Sequence, residues 1–149
     1  MLQQFNGICI VDSTHKTLPA SMAEEYPGSG GQNSAAGLKV QLVFEFIKVN
    51  MVQLEIGSSL QPDQKYVKYL EIAQKGSLFI TDLGYYCFSF LQNMKEKGAY
   101  FLTRYRFKTA LYLPCGKSVN LIQLLEAQGE EMLDIAVEVG ESKKDRVPV

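Results

Sequence analysis

A chain of 149 residues that is 46% hydrophobic and 21% charged holds enough apolar material for the core of one folded domain. Its 15 basic residues are offset by 16 acidic ones, for a net charge of −1; this argues against a stand-alone nucleic-acid binder, whose affinity comes mostly from phosphate contacts. No apolar run reaches membrane-spanning length, and Cys9, Cys87 and Cys115 are odd in number, far apart and outside any CxxC or Cys/His pair, which excludes a disulfide framework and a zinc site and fits reduced thiols in the cytoplasm.

In chain order, "MLQQFNG" lacks the basic and apolar regions of a signal peptide. Residues 7–13 then read as a strand rich in Ile, Val and Cys that finishes on Asp12, followed by Ser13 and Thr14. An acid there costs desolvation unless it is hydrogen-bonded, paired or bound to a cation. A turn or helix cap answers that cost, and Asp, Ser and Thr suit both; a ligand position answers it equally. From 14 to about 37, through "EEYPGSGGQNSAAG", the chain has no periodicity and is dense in Gly and Ser, which predicts a long surface loop.

Two strands follow, "LKVQLVFEFIKV" at 38–49 and "MVQLEIG" at 51–57, with a tight turn at Asn50. A helix is predicted from Pro62, with Asp63 in its first turn, Tyr66, Tyr69, Leu70 and Ala73 on one face, and Gly76 as its stop. "SLFITD" is a short strand ending on Asp82. A second helix runs from about Tyr85 to Lys97, with Cys87, Phe90, Leu91 and Met94 on one face and Gly98 closing it. "AYFLTRY" (99–105) reads as a strand, "SVNLIQLLEAQ" (118–128) as a short helix and "MLDIAVEVG" (132–140) as a strand. The order βββαβαβ with an αβ tail predicts a mixed sheet with helices against it.

"CIVDST" and "LFITDLGYY" are alike: both are apolar strands that terminate in Asp. Strand ends in mixed α/β sheets are where ligands and reacting groups collect. If the two strands are neighbours, Asp12 and Asp82 face each other, and two close carboxylates repel unless a cation bridges them. Oxygen-only ligands suit Mg2+ or Mn2+, and a pair of such ions serves in-line phosphoryl transfer. The other reading is two separate loop-starting aspartates.

"VDSTHKTLP", "LKVQLVFEF" and "ITDLGYY…FLQNMKEKGAYFLTRYR" together resemble the catalytic domain of the DDE transposases of bacterial insertion sequences, in the insertion-sequence-four-type group with a ribonuclease H-like core and a β-rich insertion. The likeness runs from about residue 7 to 106. It implies that Asp12, with Ser13 and Thr14, is the family's first acid, and that Asp82, with Gly84 and Tyr85, is the second, in a D-x-G-Y element. Leu83 stands where the family often has Arg. Arg104 matches the basic residue after the fifth strand, with Arg106 and Lys108 beyond.

The fold implied is α/β: a ribonuclease H-like mixed sheet with flanking helices, incomplete. Residues 1–106 would be the N-terminal part of the catalytic core, and 107–149 the truncated start of the insertion subdomain. The implied function is DNA transposition: with two Mg2+ (or Mn2+) ions at Asp12 and Asp82, water cleaves the phosphodiester at a transposon end and the freed 3′-hydroxyl attacks target DNA. The partners are transposon-end and target DNA and a second subunit of a homodimer, with no membrane.

The family's third acid, a Glu in a Tyr/Arg/Trp-rich helix after the insertion, has no counterpart. Glu96, Glu126, Glu130, Glu131, Asp134, Glu138, Glu141 and Asp145 all lack that motif. The family's N-terminal DNA-binding region is absent too, and "ESKKDRVPV" reads as an open end. The expectation is a transposase fragment, inactive as this chain alone, with apolar surface left bare. The alternatives are a non-enzymatic remnant or interaction module of the same fold, and an unrelated metal-dependent hydrolase acting on a small phosphorylated substrate.

Other residues read two ways. Lys39 opens the second strand and either reaches a phosphate or is an ordinary strand-edge lysine. Arg104 and Arg106 share one strand face by parity, as a phosphate clamp or a solvated edge. Asp63 is a helix-start acid or belongs to a metal shell. Tyr85 and Tyr86 stack on an unpaired base or pack in the core, and His15 is a solvated or hydrogen-bonded histidine or a general base. "CGKS" at 115–118 lacks the P-loop glycine, since Leu111 occupies its place, and "PGSGGQN" lacks the third glycine of a dinucleotide fingerprint.

Overall fold

Ile8, Cys9, Val11, Val43 and Phe79 are all under a tenth exposed, and they mark the centre of a mixed sheet. The computed structural model describes residues 4–30, 35–129, 132, 134–140 and 146–149 and divides into two units, Met1–Arg104 and Tyr105–Val149. In the first unit, β1 (Ile8–Leu18), β2 (Ala36–Glu45), β3 (Asn50–Ser58), β4 (Leu78–Thr81) and β5 (Tyr100–Leu102) lie in the order β3-β2-β1-β4-β5. The pairs β1/β2 and β2/β3 are antiparallel, whereas β1/β4 and β4/β5 are parallel. This is the mixed α/β class that the element order predicts.

Side chains alternate across a strand, so the register decides what each face carries. Cys9 and Val11 share a face with Glu45, Val43, Phe79 and Thr81, all buried. Over that face pack Tyr66, Tyr69 and α1 (Phe88–Lys97), which buries Phe90, Leu91 and Met94. The Tyr69 ring meets Phe79 at 6.1 Å and Phe90 at 5.9 Å between centroids, and Phe90 meets Phe101 edge-on at 5.6 Å. Each such side chain contributes roughly 1.5–3 kcal/mol by leaving water. The opposite face is open: Leu54, Ile56 and Leu102 are 54%, 53% and 58% exposed.

The buried Glu45 carboxylate is satisfied by the backbone N–H groups of Ile8, Ile47 and Lys48. Those bonds fix the β2–β3 turn at 46–49, earlier than the expected Asn50, which instead opens β3.

Five expectations are corrected. The first strand does not stop at 13; β1 runs to Leu18 because every residue from Ser13 to Leu18 finds a partner on β2, ending at Leu18↔Ala36. The predicted loop therefore shrinks and contains a 3-10 turn at Ala20–Met22. The predicted helix from Pro62 is two 3-10 turns, Asp63–Lys65 and Lys68–Glu71, separated by Tyr66 in extended conformation. Its apolar spacing is real, since Tyr66, Tyr69 and Ala73 are buried, yet short turns laid on the sheet satisfy it. The second helix starts at Phe88 and not near Tyr85, because Asp82 caps a separate 3-10 turn at Leu83–Tyr85. The strand expected over 99–105 ends at Leu102, so strand parity does not place Arg104 and Arg106 on one face.

The second unit holds β6 (Leu111–Tyr112), β7 (Ser118–Val119), α2 (Leu121–Gln128), β8 (Glu138–Val139) and β9 (Val147–Pro148). Its antiparallel sheet has the order β7-β6-β8-β9. Asn120 caps α2 by accepting from the N–H groups of Ile122 and Gln123. The Arg146 guanidinium stacks 3.4 Å from the Tyr112 ring centre and lies 3.8 Å from the Glu138 carboxylate. Among the described residues no helix is long and apolar enough to cross a membrane.

Candidate functional site

The parallel ladder between β1 and β4 closes with the pair Val11↔Thr81, and the next residue on each strand is an aspartate. Asp82 continues in extended conformation (φ −81°, ψ 179°) and then turns the chain, its Oδ1 accepting from the Gly84 N–H at 2.9 Å. Asp12 does not end its strand, contrary to expectation. It sits where β1 loses β4 as a neighbour and goes on paired to β2 alone, through Asp12↔Leu42. Its Oδ1 accepts from the Ser13 N–H at 2.8 Å. Both aspartates are exposed. Each uses one oxygen in a local cap, and the other oxygen has no hydrogen-bond partner among the described residues.

A third carboxylate stands behind them. Asp63 Oδ1 accepts from Ser13 Oγ (2.8 Å), Gln41 Nε2 (2.9 Å) and Lys39 Nζ (3.0 Å). Burial pushes the Asp63 pKa up, but these three hydrogen bonds and the Lys39 charge outweigh it, and the net shift is downward. Asp63 begins a 3-10 turn, not the expected helix, and its carboxylate is held by sheet residues.

Asp82 and Asp63 both approach Gly84. A Cβ there would lie 3.0 Å from Asp82 Oδ1 and 3.2 Å from Asp63 Oδ2, so any side chain would press both carboxylates aside. Next to it, the buried Tyr85 hydroxyl donates to Gln41 Oε1, and Gln41 in turn donates to Asp63. Burial, opposed by the Ser13 hydroxyl and reinforced by Asp63, Asp12 and Asp82, raises the Tyr85 pKa far above its ordinary value. The phenol is therefore a fixed donor at neutral pH.

The other expected residues are dispersed. Lys39 lies on an internal strand and is no edge lysine. Its side chain is 11% exposed, and its ammonium is bound to Asp63 and to the Gln61 carbonyl. Arg104 is exposed just beyond β5, and Arg106 is exposed in the second unit. His15 is exposed on β1, opposite Lys39, and Tyr86 is buried. Of the downstream acids, Glu96, Glu126 and Asp134 are exposed and Glu138 pairs with Arg146; Glu130, Glu131, Glu141 and Asp145 lie outside the described residues. Among the described residues no group of three or more His, Cys, Asp or Glu side chains is arranged to hold a metal ion. Asp12 and Asp82 match a hard divalent cation in donor chemistry, all oxygen and partly unpartnered.

Sequence reasoning missed the roles of Gln41 and Gly84 and the anchoring of Asp63. The signal available was a polar residue, Gln41, between the apolar Val40 and Leu42.

A family model described as "Transposase DDE domain" matches residues 3–145. The chain is 32% identical over 113 residues to the transposase for insertion sequence element IS231B of Bacillus thuringiensis subsp. berliner, covering 75% of this chain and 24% of that protein. It is 31% identical over 114 residues to the transposase for IS231F of Bacillus thuringiensis subsp. israelensis (76% and 24%). It is also 31% identical over 110 residues to the transposase for IS1151 of Clostridium perfringens (73% and 23%). The chain thus spans about a quarter of the length of the curated relatives it matches.

Proposed function

Because the chain belongs to the transposase DDE domain family, we propose that it is the N-terminal part of an insertion-sequence transposase's catalytic core, acting on phosphodiester bonds of transposon-end and target DNA. The observation that carries this reading is the pairing of β1 with β4, which brings Asp12 and Asp82 to equivalent positions one residue beyond the ladder. The order β3-β2-β1-β4-β5, three antiparallel strands followed by two parallel ones, supports a ribonuclease H-like sheet. The residues from 107 onward are the start of an insertion subdomain.

Asp12 and Asp82 would hold Mg2+ or Mn2+, and such an ion when bound polarises the scissile phosphate and acidifies the attacking water or 3′-hydroxyl. The chain's own residues prepare the site. The Ser13 and Gly84 N–H groups orient one oxygen of each carboxylate. Asp63 holds the Lys39 ammonium at 3.0 Å, and the Tyr85–Gln41 bond holds Asp63's neighbours in place. Arg104, Arg106 and Lys39 are proposed DNA contacts, the assembled family enzyme is a homodimer, and the setting is the cytoplasm.

A second reading, a non-enzymatic module of the same fold, is favoured by the two-member acid set among the described residues. Incubation of supercoiled DNA with the chain and Mn2+ separates the two. Nicking that disappears in Asp82→Ala supports catalysis by this chain, whereas no nicking, or nicking indifferent to the substitution, supports the module.

A further inference from the structure

Beyond Asp12, the β1–β2 arm encloses a polar cleft of about 340 Å3. Ser13, His15 and Thr17 alternate along β1 and line one wall. Facing them on β2 are Lys39, paired with His15, and Gly37, paired with Thr17. Gly37 is required: a Cβ there would sit 2.3 Å from Ser59 Oγ, so a side chain would expel the Ser59 hydroxyl that joins the lining. The Lys39 ammonium has three N–H groups and two acceptors among the described residues, Gln61 O at 2.8 Å and Asp63 Oδ1 at 3.0 Å. Lys16 adds a second cation to the lining, against the single acid Asp63.

A lining of hydroxyls, an imidazole and two ammoniums, with more positive than negative charge, is a donor array suited to an oxyanion. Position selects the kind of oxyanion. β4 stops at Thr81, so from Asp12 onward no described strand covers that edge of β1. A ligand lying along that edge passes Asp12, whose side chain faces the other side of the sheet, and then meets the Ser13–His15–Thr17 wall. At a rise of about 3.3 Å per residue, His15 is about 10 Å beyond Asp12.

We propose that this cleft holds a non-reacting phosphodiester of a nucleic-acid strand, about 10 Å along β1 from the bond presented to Asp12 and Asp82. The assignment rests on the transposase reading for its ligand and on the cleft alone for its anion chemistry. Occupancy would fix the register of the strand against the acids, a positioning role that Ser13 shares by touching both places.

The test uses the 149-residue protein and a fluorescently labelled DNA duplex, followed by anisotropy in EDTA over a salt series. Lys16→Gln, His15→Ala and Thr17→Val are expected to weaken binding about 3–10-fold, Lys16→Gln to lower the salt slope by about 0.9, and Thr17→Ser to restore wild-type affinity. Unchanged affinity and slope in all three weakened variants overturns the proposal, as does a wild-type chain that binds no duplex. Broadening of the inorganic phosphate signal in 31P NMR, lost in Lys16→Gln, without duplex binding would assign the cleft to free phosphate and overturn the phosphodiester assignment. Cleft-dependent duplex binding in a chain that shows no nicking keeps the proposal and sinks the catalytic reading instead.

Discussion

Asp63 and Lys39 form an ion pair at 3.0 Å that links the 3-10 turn after Pro62 to the core-side face of the sheet. Lys39 Nζ shares Asp63 Oδ1 with Ser13 and Gln41. Because the carboxylate's pKa is lowered on folding, its contribution to stability is full above the ordinary value of 3.8 and is lost as pH falls below that value through the folded pKa. Asp63→Asn should cost about 1–3 kcal/mol near neutral pH by leaving Lys39 short of its charged partner. It should also flatten that part of the acid limb. Urea titrations at pH 7 and pH 3 check both points, and an unaltered acid limb would refute the assignment.

Gly84→Ala should perturb two carboxylates at once, since the added methyl would lie 3.0 Å from Asp82 Oδ1 and 3.2 Å from Asp63 Oδ2. The expected cost is about 1–3 kcal/mol, as for overpacking elsewhere, together with weaker divalent-ion binding. A chemical melt and a Mn2+ titration of the same variant measure the two effects. Wild-type values in both would mean that the acids do not need this approach.

Tyr85→Phe removes the donor to Gln41 Oε1 and leaves a buried carbonyl oxygen unpaired. The loss should be about 1–3 kcal/mol with the secondary structure unchanged by circular dichroism. Tyr86→Phe serves as the comparison and should cost less, having no hydroxyl bond among those the structure describes.

If Asp12 and Asp82 hold a divalent ion, Mn2+ at ten times its dissociation constant should stabilise the chain by about 1.4 kcal/mol, visible as a rise in Tm. Asp12→Asn or Asp82→Asn should abolish the rise while leaving the metal-free Tm within a few degrees, because each side chain is exposed. An equal rise in both variants would remove these residues from the metal site.

The open sheet face carries Leu54, Ile56 and Leu102 more than half exposed, on strands whose partners Val40, Leu42 and Ile80 extend the same apolar surface. Exposed apolar patches of this kind promote aggregation. The chain should scatter light increasingly with concentration, and Leu54→Lys with Ile56→Thr should suppress that without lowering the cooperativity of unfolding. A wild-type chain that stays clear and monomeric at high concentration would contradict this.

The site was partly legible in the sequence. The "VDST" and "ITDLGYY" blocks each declare an apolar strand running into an acid, and the unbroken apolar runs around Val11 and Phe79 mark the strands. The element order likewise carries the mixed α/β class. The course of β1 past Asp12 was not legible, because Ser13–Leu18 is polar, lacks periodicity, and is a strand only by pairing with Gln41–Ala36. The segment after Pro62 spaces its tyrosines as a helix would, and packing against Phe79 and Phe90 resolved that pattern into short turns. Two-residue strands such as Leu111–Tyr112 are below the length at which any period shows.

By itself, then, the sequence determined which residues are acids at the ends of apolar runs, that the thiols stand alone, and that the chain resembles a family of DNA-acting enzymes. Those properties are local: they depend on residue type and on spacing within a few positions. Only the tertiary structure decided that Asp12 and Asp82 follow a shared ladder, that Gly84 admits Asp82 beside Asp63, and that Lys39 is tied to a carboxylate. Each of these depends on residues tens of positions apart meeting through strand register, which one strand's sequence cannot encode.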